Sequence, residues 1–501
     1  MHYDYNLLDE KWIPCVMRNK EQKELNLKEV LIKANEIKEI FDPSPLVTVS
    51  LYRLILAILY RIYTLNGNEN WKEVWINLWQ ESAFHSDKLN SYLKNWHHRF
   101  NLFDKKHPFY QYPEIEGNES PVDRLALEAA CGNNPTLFSH TNEKTSTGFD
   151  FGTAARNLIA HQSFSIGFGK SSPFYLKDSP LIRGALVLVK GDSLFETLML
   201  NFAESFKINP KEDKPVWEEP DLPEPKENQI PRGYIQYLTW MSRRILLVPS
   251  EDKKVKKIKY QQGIELSKDW QEDLMKSYLK NEKRGKIPLS MNENRELWRD
   301  SHNLFSIKDK FSTPETFNFL SVLINQQVLA KHRLYQYEIY GLCTEIGKAA
   351  SVLFWRQERL PLPLSLLTEE KLVHRLKEAL KTAEKLGEIL RISVSRLSDE
   401  LKLGKDEKQK LRKKISIDRQ YWAELAIQFK PFVIKLAENE EIAMKEWIAN
   451  TRRNAIRTFK NKMDTLGTTA RILKALNSRK VTGYFYGSMN KELEGLELFE
   501  L

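Results

Sequence analysis

Cysteine is scarce in this chain. Only Cys15, Cys131 and Cys343 occur, all far apart, and no Cys-x-x-Cys pair exists. That spacing leaves almost no room for a cysteine-based zinc site, and the scarcity fits a reducing cytoplasm, the expected location. Uncharged apolar runs are missing too. The longest, Leu46–Leu65, carries Arg53 and Arg61, so it reads as a buried helix and not as a membrane span. The opening residues, MHYDYNLLDEKW, are too polar for a signal peptide. No His-Glu-x-x-His or Walker spacing selects a metal or phosphate site. The one His-x-x-Glu spacing, His140 to Glu143, lies in a turn-rich stretch, and His97-His98 lacks partner ligands. Neither a metal nor a cofactor is expected, and no internal repeat stands out.

Basic charge is present instead. The 77 Lys and Arg against 67 Asp and Glu give a formal net charge of +10 in 501 residues. That excess favours a polyanionic partner without proving one. The chain is long enough for about two or three domains. From Ala34 to about Leu366, helical stretches alternate with short strands in no regular βαβ rhythm. Helices are expected at Trp71–His97 and Ala154–Gln162, and strands at Leu7–Val16, Gly184–Val189 and Tyr234–Pro249. Ser193 to Glu196 has capping-box spacing. Asn209–Arg232, dense in Pro, Glu and Lys, reads as an exposed loop. From Thr368 the character changes. Leu372, Leu376, Leu380, Ala383, Leu386 and Leu390 repeat at helical spacing. Further runs at Glu407–Ala437, Glu440–Met463 and Thr468–Ser478 complete an antiparallel four-helix bundle. The expected fold is α+β, with a large mixed domain over 1–365 and the bundle over 366–501.

The most informative stretch is Cys131–Lys170. It opens CGNNPTLFSHTNEKTSTG and closes SFSIGFGK. Glycines let another backbone approach closely, and amide side chains read base edges. In a basic chain, the combination suggests a nucleic-acid contact made by loops. A glycine pair is more often an ordinary turn, and a charge run is usually a solvated face. Two basic clusters invite the same weighing. One is Lys253, Lys254, Lys256, Lys257 and Lys259 beside Tyr260. The other is Arg452, Arg453, Arg457, Lys460 and Lys462, of which Arg453, Arg457 and Lys460 share a helical face. Both have the charge to follow phosphates.

Several segments together resemble the large subunit of the type I-E CRISPR surveillance complex, Cascade (the CasA family). They are Asn6–Pro14, His107-Pro108-Phe109, Gly132–Thr141, Gly167-Phe168-Gly169, Trp217 to Pro220, Gly233-Tyr234, Leu238 to Trp240, and Arg295 through Trp298-Arg299-Asp300-Ser301-His302. No single motif is specific; their order and the matching length carry the resemblance. It implies a non-catalytic subunit that recognises the protospacer-adjacent motif (PAM) on double-stranded DNA, helps open the duplex and recruits a helicase–nuclease. Implied partners are the backbone, small and 5′-handle-binding subunits, the CRISPR guide RNA, target DNA and the helicase–nuclease, with no membrane. The resemblance assigns PAM contact to a glycine loop, Gly167, Phe168, Gly169 and Lys170. It places a lysine finger in Lys276–Arg284, with Lys280 and Lys283 as candidates. It also implies a wedge near Gly341–Ser351, where Gly347-Lys348-Ala349 stands in place of the family's glutamine. A loop over Asn133–Thr147, with Asn133, Asn134, Phe138 and His140, would dock on the guide RNA and the complex. The main alternative is a metal-dependent nuclease acting on DNA; a third is a scaffold that binds protein only.

Overall fold

The computed structural model describes residues 3–64, 70–127, 147–167, 169–204, 211–271, 273–282, 285–305, 311–345 and 351–494. The fold is α+β with a helical C-terminal region, and the chain divides into two compact units. The first comprises Met1–Leu297, Ile307–Leu329 and Tyr335–Arg359; the second comprises Trp298–Ser306, Ala330–Leu334 and Leu360–Leu501.

The first unit is built around the apolar helix Pro45–Thr64, whose proline in the first turn is preset for a helix start. By length and composition it could cross a bilayer, yet it is wholly buried inside the unit. Its two arginines are matched by carboxylates far along the chain. Arg53 pairs with Asp273 at 3.1 Å, and Arg61 pairs with Glu218 at 2.7 Å. Glu218 also accepts from the Tyr92 hydroxyl at 2.7 Å, so both charges have hydrogen-bonded company. These contacts correct the reading of Asn209–Arg232 as exposed. Asp213, Val216, Trp217 and Glu218 are buried there. Trp71–His97 is two helices, Trp71–Glu81 and Ser86–Trp96, separated at Ser82, which adopts a left-handed conformation.

Among the described residues the strands form four small sheets. Ile13–Met17 pairs antiparallel with both Gln22–Leu25 and Ile37–Ile40. Leu186–Lys190 pairs with Leu334–Glu345, which is flanked on its other side by Ser351–Pro363. Lys254–Gln262 is a central strand, with Arg243–Pro249 along one edge and both Glu119–Pro121 and Phe149–Asp150 on the other. Tyr278–Asn281 and Gly285–Pro288 form a hairpin. The first half of the expected strand Tyr234–Pro249 is instead a short helix, Tyr234–Leu238. Two of its backbone amides donate to Asp213, at 2.7 and 2.9 Å, which stabilises the helix start. Ser193 caps the helix Leu194–Asn201 as expected, but Glu196 reaches back to the amide of Asp192 and not to that of Ser193.

In the second unit, Glu370–Glu400 is the central helix. Every member of the leucine and alanine stripe is buried. Ile417–Glu438 and Glu440–Asp464 fold back on each other at Asn439 and pack on it. Their aromatic side chains donate to its backbone, Tyr421 to the Ala383 carbonyl at 2.8 Å and Trp447 to that of Ala379 at 2.9 Å. Gly387 admits the Tyr421 and Trp422 rings; a Cβ there would sit 3.0 Å from Trp422. Two expectations are corrected. The run Glu407–Ala437 breaks at Ser416 (φ 44°), giving Lys405–Ile415 and Ile417–Glu438. The last long helix is Tyr484–Glu494, with Phe485 stacked on Phe459 at 4.1 Å; Thr468–Ser478 holds only the seven-residue helix Ala470–Leu476.

Candidate nucleic-acid interface

The glycine loop leaves the helix Phe151–Phe164, which Asp150 caps by accepting from the Thr153 amide at 2.8 Å. A ladder of backbone bonds then closes the loop. Leu181 donates to Ser163 at 2.8 Å, Ser179 to Ser165 at 2.9 Å, and Leu176 to Gly169 at 3.1 Å. The Gly167 amide donates to the Asp178 carboxylate at 2.9 Å. The two glycines serve different ends. A Cβ on Gly167 would lie 2.3 Å from the Asp178 nitrogen, so the backbone that approaches closely there is the protein's own. Gly169 has φ +110°, open to glycine and strained for other residues, and a Cβ there would meet nothing nearer than Leu176 at 3.9 Å. Gly169 and Lys170 are exposed; Phe168 lies outside the described residues.

In the proposed lysine-finger region, Lys280 is exposed on the hairpin, opposite Lys286. Lys283 lies outside the described residues. Lys276 is buried and turned inward. Its ammonium donates to the carbonyls of Pro180 and Arg183, both at 3.1 Å. Burial pushes its pKa down to about 8; Asp273 pulls it up and Arg53 adds to the downward push. These bonds tie the hairpin's root to the return leg of the glycine loop. Close by, a Cβ on Gly184 would lie 2.6 Å from Pro288, and the Val187 amide donates to Met275 at 2.8 Å.

The third element is the hairpin of Leu334–Glu345 and Ser351–Pro363. Its tip, with Gly347, Lys348 and Ala349, lies outside the described residues. Its root pairs through Gln336–Tyr340 with Leu186–Lys190. A charge cluster, buried at Lys190 and Glu338 and open at Arg359, supports that pairing. Lys190 contacts Glu39 at 3.1 Å and the Tyr52 hydroxyl at 2.8 Å, and Arg359 reaches both Glu39 and Glu338. The roots of all three segments are thus gathered along residues 180–190. Asn133, Asn134, Phe138 and His140 also lie outside the described residues. The strands that bracket them in sequence, Glu119–Pro121 and Phe149–Asp150, sit on one edge of Lys254–Gln262.

The basic run on that strand is partly neutralised. Lys256 pairs with Asp252 at 2.7 Å and Lys257 with Glu119 at 2.9 Å. On Glu440–Asp464, Arg452, Arg453, Arg457 and Lys460 are exposed, and Arg457 pairs with Glu424. Among the described residues, no group of three or more His, Cys, Asp or Glu side chains comes together as a metal site would require. What sequence reasoning missed is the polar network beneath the glycine loop. Arg243 donates to the carbonyls of Lys177 (2.6 Å), Ile166 (3.1 Å), Ser165 (3.4 Å) and Ser242 (2.9 Å), to Gln262 Oε1 (3.2 Å) and to the Tyr260 hydroxyl (2.8 Å). Tyr260 in turn contacts His161 Nε2 at 2.9 Å, and His161 Nδ1 contacts the Leu125 carbonyl at 3.2 Å. No sequence signal marks one arginine in Ser-Arg-Arg-Ile-Leu for this role.

Solved structures define the class of fold. Cse1 from Acidimicrobium ferrooxidans superposes with a TM-score of 0.84 at 20% identity, covering 99% of both chains. A chain of a CRISPR RNA-guided surveillance complex superposes with a TM-score of 0.78 at 19% identity, covering 96% of this chain and 99% of that one. At higher identity, 28%, the structure of Thermus thermophilus CasA (Cse1) gives a TM-score of 0.82, with 97% of this chain and 99% of that one covered. The CRISPR-associated protein CasA/Cse1 of Thermus thermophilus is 31% identical over 516 residues, 98% of each chain. The family model for CRISPR-associated protein Cse1 matches residues 6–458, so this chain belongs to the Cse1 family.

Proposed function

We propose that the chain is the non-catalytic large subunit of a CRISPR surveillance complex, cytoplasmic, and that its first unit reads the PAM on double-stranded DNA. The observation that carries this reading is the gathering of three roots along residues 180–190: the glycine loop, the Lys280 hairpin and the hairpin that bears Lys348. Each is a short excursion from a rigid foundation, the arrangement that lets several loops address one ligand. Gly169 offers bare backbone at an exposed turn, where a base edge in the minor groove can be approached. Lys170 and Lys280 add exposed positive charge for phosphate. Lys348 acts on phosphate once the strands have parted, because an ammonium has no acceptor for a base edge.

The remaining roles complete the reading. The segment with Asn133, Asn134, Phe138 and His140 docks on guide RNA and neighbouring Cascade subunits. The opened duplex is handed to a separate helicase–nuclease. The exposed face of Arg452, Arg453, Arg457 and Lys460 holds DNA beside the heteroduplex. The test is binding of the guide-loaded complex, with and without this chain, to duplexes that differ only in the motif beside the target. Motif-dependent affinity that appears only with the chain supports the reading; equal affinity for all motifs overturns it. Cleavage of DNA by the pure chain with magnesium or manganese, abolished by one carboxylate substitution, would favour the nuclease alternative instead.

A further inference from the structure

We propose that Arg243 is the positioning residue of the glycine loop, setting the distance between its two legs by hydrogen bonds from one buried guanidinium. The proposal rests on the PAM-reading role given above. Arg243 is 0% exposed. Its bonds reach the outgoing leg at Ser165 and Ile166 and the return leg at Lys177. A guanidinium has five N–H groups in a rigid fork, and the six acceptors here satisfy all of them, the Ser165, Ile166 and Lys177 carbonyls sharing the two N–H groups of one nitrogen.

Every one of those acceptors is neutral. Among the described residues no carboxylate pairs with Arg243, whereas Arg53 and Arg61, two further buried arginines of this unit, each have one. Burying a cation without a counter-ion is unfavourable, and an apolar side chain would fill the space more cheaply. Two consequences follow. The fork fixes the legs at a geometry that a flexible or apolar side chain cannot reproduce. The uncancelled charge also lies directly under a loop that meets a polyanion, where low dielectric strengthens its field.

The surrounding contacts keep the guanidinium from moving. Gln262 Oε1 accepts from Arg243 and from the Lys177 amide at 2.8 Å, and Gln162 brackets the Arg243 backbone, accepting from its amide at 2.8 Å and donating to its carbonyl at 2.9 Å. Ser179, on the return leg, bonds Ser242 at 2.7 Å and also contacts Ser165. Tyr260 is held from behind by His161 and covered by Arg124, whose guanidinium lies 3.8 Å from the ring centroid. The groups facing Arg243 from the neighbouring elements are therefore Tyr260, Gln262, Gln162, Ser242 and the loop carbonyls.

The test uses the guide-loaded complex containing wild type, Arg243→Lys or Tyr260→Phe. Lysine keeps the charge and loses the fork; phenylalanine keeps the ring and removes one acceptor. The readouts are the affinity ratio between PAM-bearing and PAM-less duplexes, the affinity for PAM-less DNA, and amide exchange at residues 165–181. Arg243→Lys is expected to lower the ratio tenfold or more and to speed exchange at Gly167, Leu176 and Ser179. Affinity for PAM-less DNA should change less than twofold. Tyr260→Phe should give the same pattern more weakly. An unchanged ratio with unchanged exchange in Arg243→Lys overturns the proposal, as does an equal loss of affinity for both duplexes. A wild-type ratio of one would instead overturn the PAM-reading role, and the exchange readout alone would then decide whether Arg243 holds the loop.

Discussion

Replacing His161 with glutamine should flatten the acid side of the protein's stability profile. The Leu125 carbonyl can only accept, so His161 Nδ1 carries the proton. Nε2 then accepts from Tyr260, whose oxygen is itself filled by the Arg243 Nε–H. A second proton on the imidazole would displace that bond and bury a cation beside Arg243. Burial first, then the charges of Arg243 and Arg124, push the pKa down from 6.5 to about 3. Below pH 6.5 the unfolded chain therefore binds a proton that the native chain does not. Stability falls as pH drops from 6.5 towards 3 and is insensitive to this group above 6.5. Between pH 7.5 and pH 5 the loss is about 2 kcal/mol. Glutamine can donate to Leu125 and accept from Tyr260 without titrating. Urea unfolding followed by tryptophan fluorescence should thus show the gap between wild type and His161→Gln shift by about 2 kcal/mol in favour of the variant across that interval. Parallel profiles from pH 7.5 to pH 5 would refute the buried neutral imidazole.

Other perturbations follow from the same architecture. Gly167→Ala drives a Cβ into the Asp178 backbone, whereas Gly169→Ala meets only the strain of its positive φ. Thermal unfolding should rank Gly167→Ala as the more damaging, with roughly 1–2 kcal/mol for Gly169→Ala; the reverse order would contradict the loop geometry. Arg61→Met strands the buried Glu218 and should cost about 3–5 kcal/mol, with Arg61→Met/Glu218→Met closer to wild type. A double variant no more stable than the single would show that the pair is not coupled. For DNA binding, Lys170→Gln, Lys280→Gln and Lys348→Ala should each reduce the salt slope by about 0.7–0.9 for every phosphate no longer neutralised, whatever the motif. A Lys348 effect confined to one motif, or rescued by glutamine, would make that residue a base-contacting wedge.

The parts legible in the sequence were those fixed by local periodicity. The stripe from Leu372 to Leu390 lies in the bundle core because one face of a long helix needs no knowledge of its neighbours. The buried helix Pro45–Thr64 was readable for the same reason, but its arginines' partners were not. Asp273 and Glu218 lie 220 and 157 residues away, and nothing local selects them from 67 acidic residues. Composition misled where tertiary packing overrode it. Asn209–Arg232 has the polarity of a loop, yet Trp217 and Glu218 are drawn into the core by Tyr92 and Arg61. At the candidate site, the two glycines were visible, but only coordinates separate Gly167, crowded by its own loop, from the open Gly169. Arg243 carried no pattern at all, since its partners are mostly backbone carbonyls, which every residue possesses.

The proposed motif recognition runs through the exposed turn at Gly169. Its most direct test is the affinity of guide-loaded complex for a PAM-bearing duplex, divided by that for the same duplex with the PAM scrambled, in wild type and Gly169→Asp. A carboxylate at that turn adds side-chain bulk and a charge repelled by phosphate, while a Cβ there has open space in the fold. The account predicts a high ratio for wild type and a ratio near one for Gly169→Asp, with assembly into the complex preserved. An undiminished ratio in an assembled Gly169→Asp complex would contradict it.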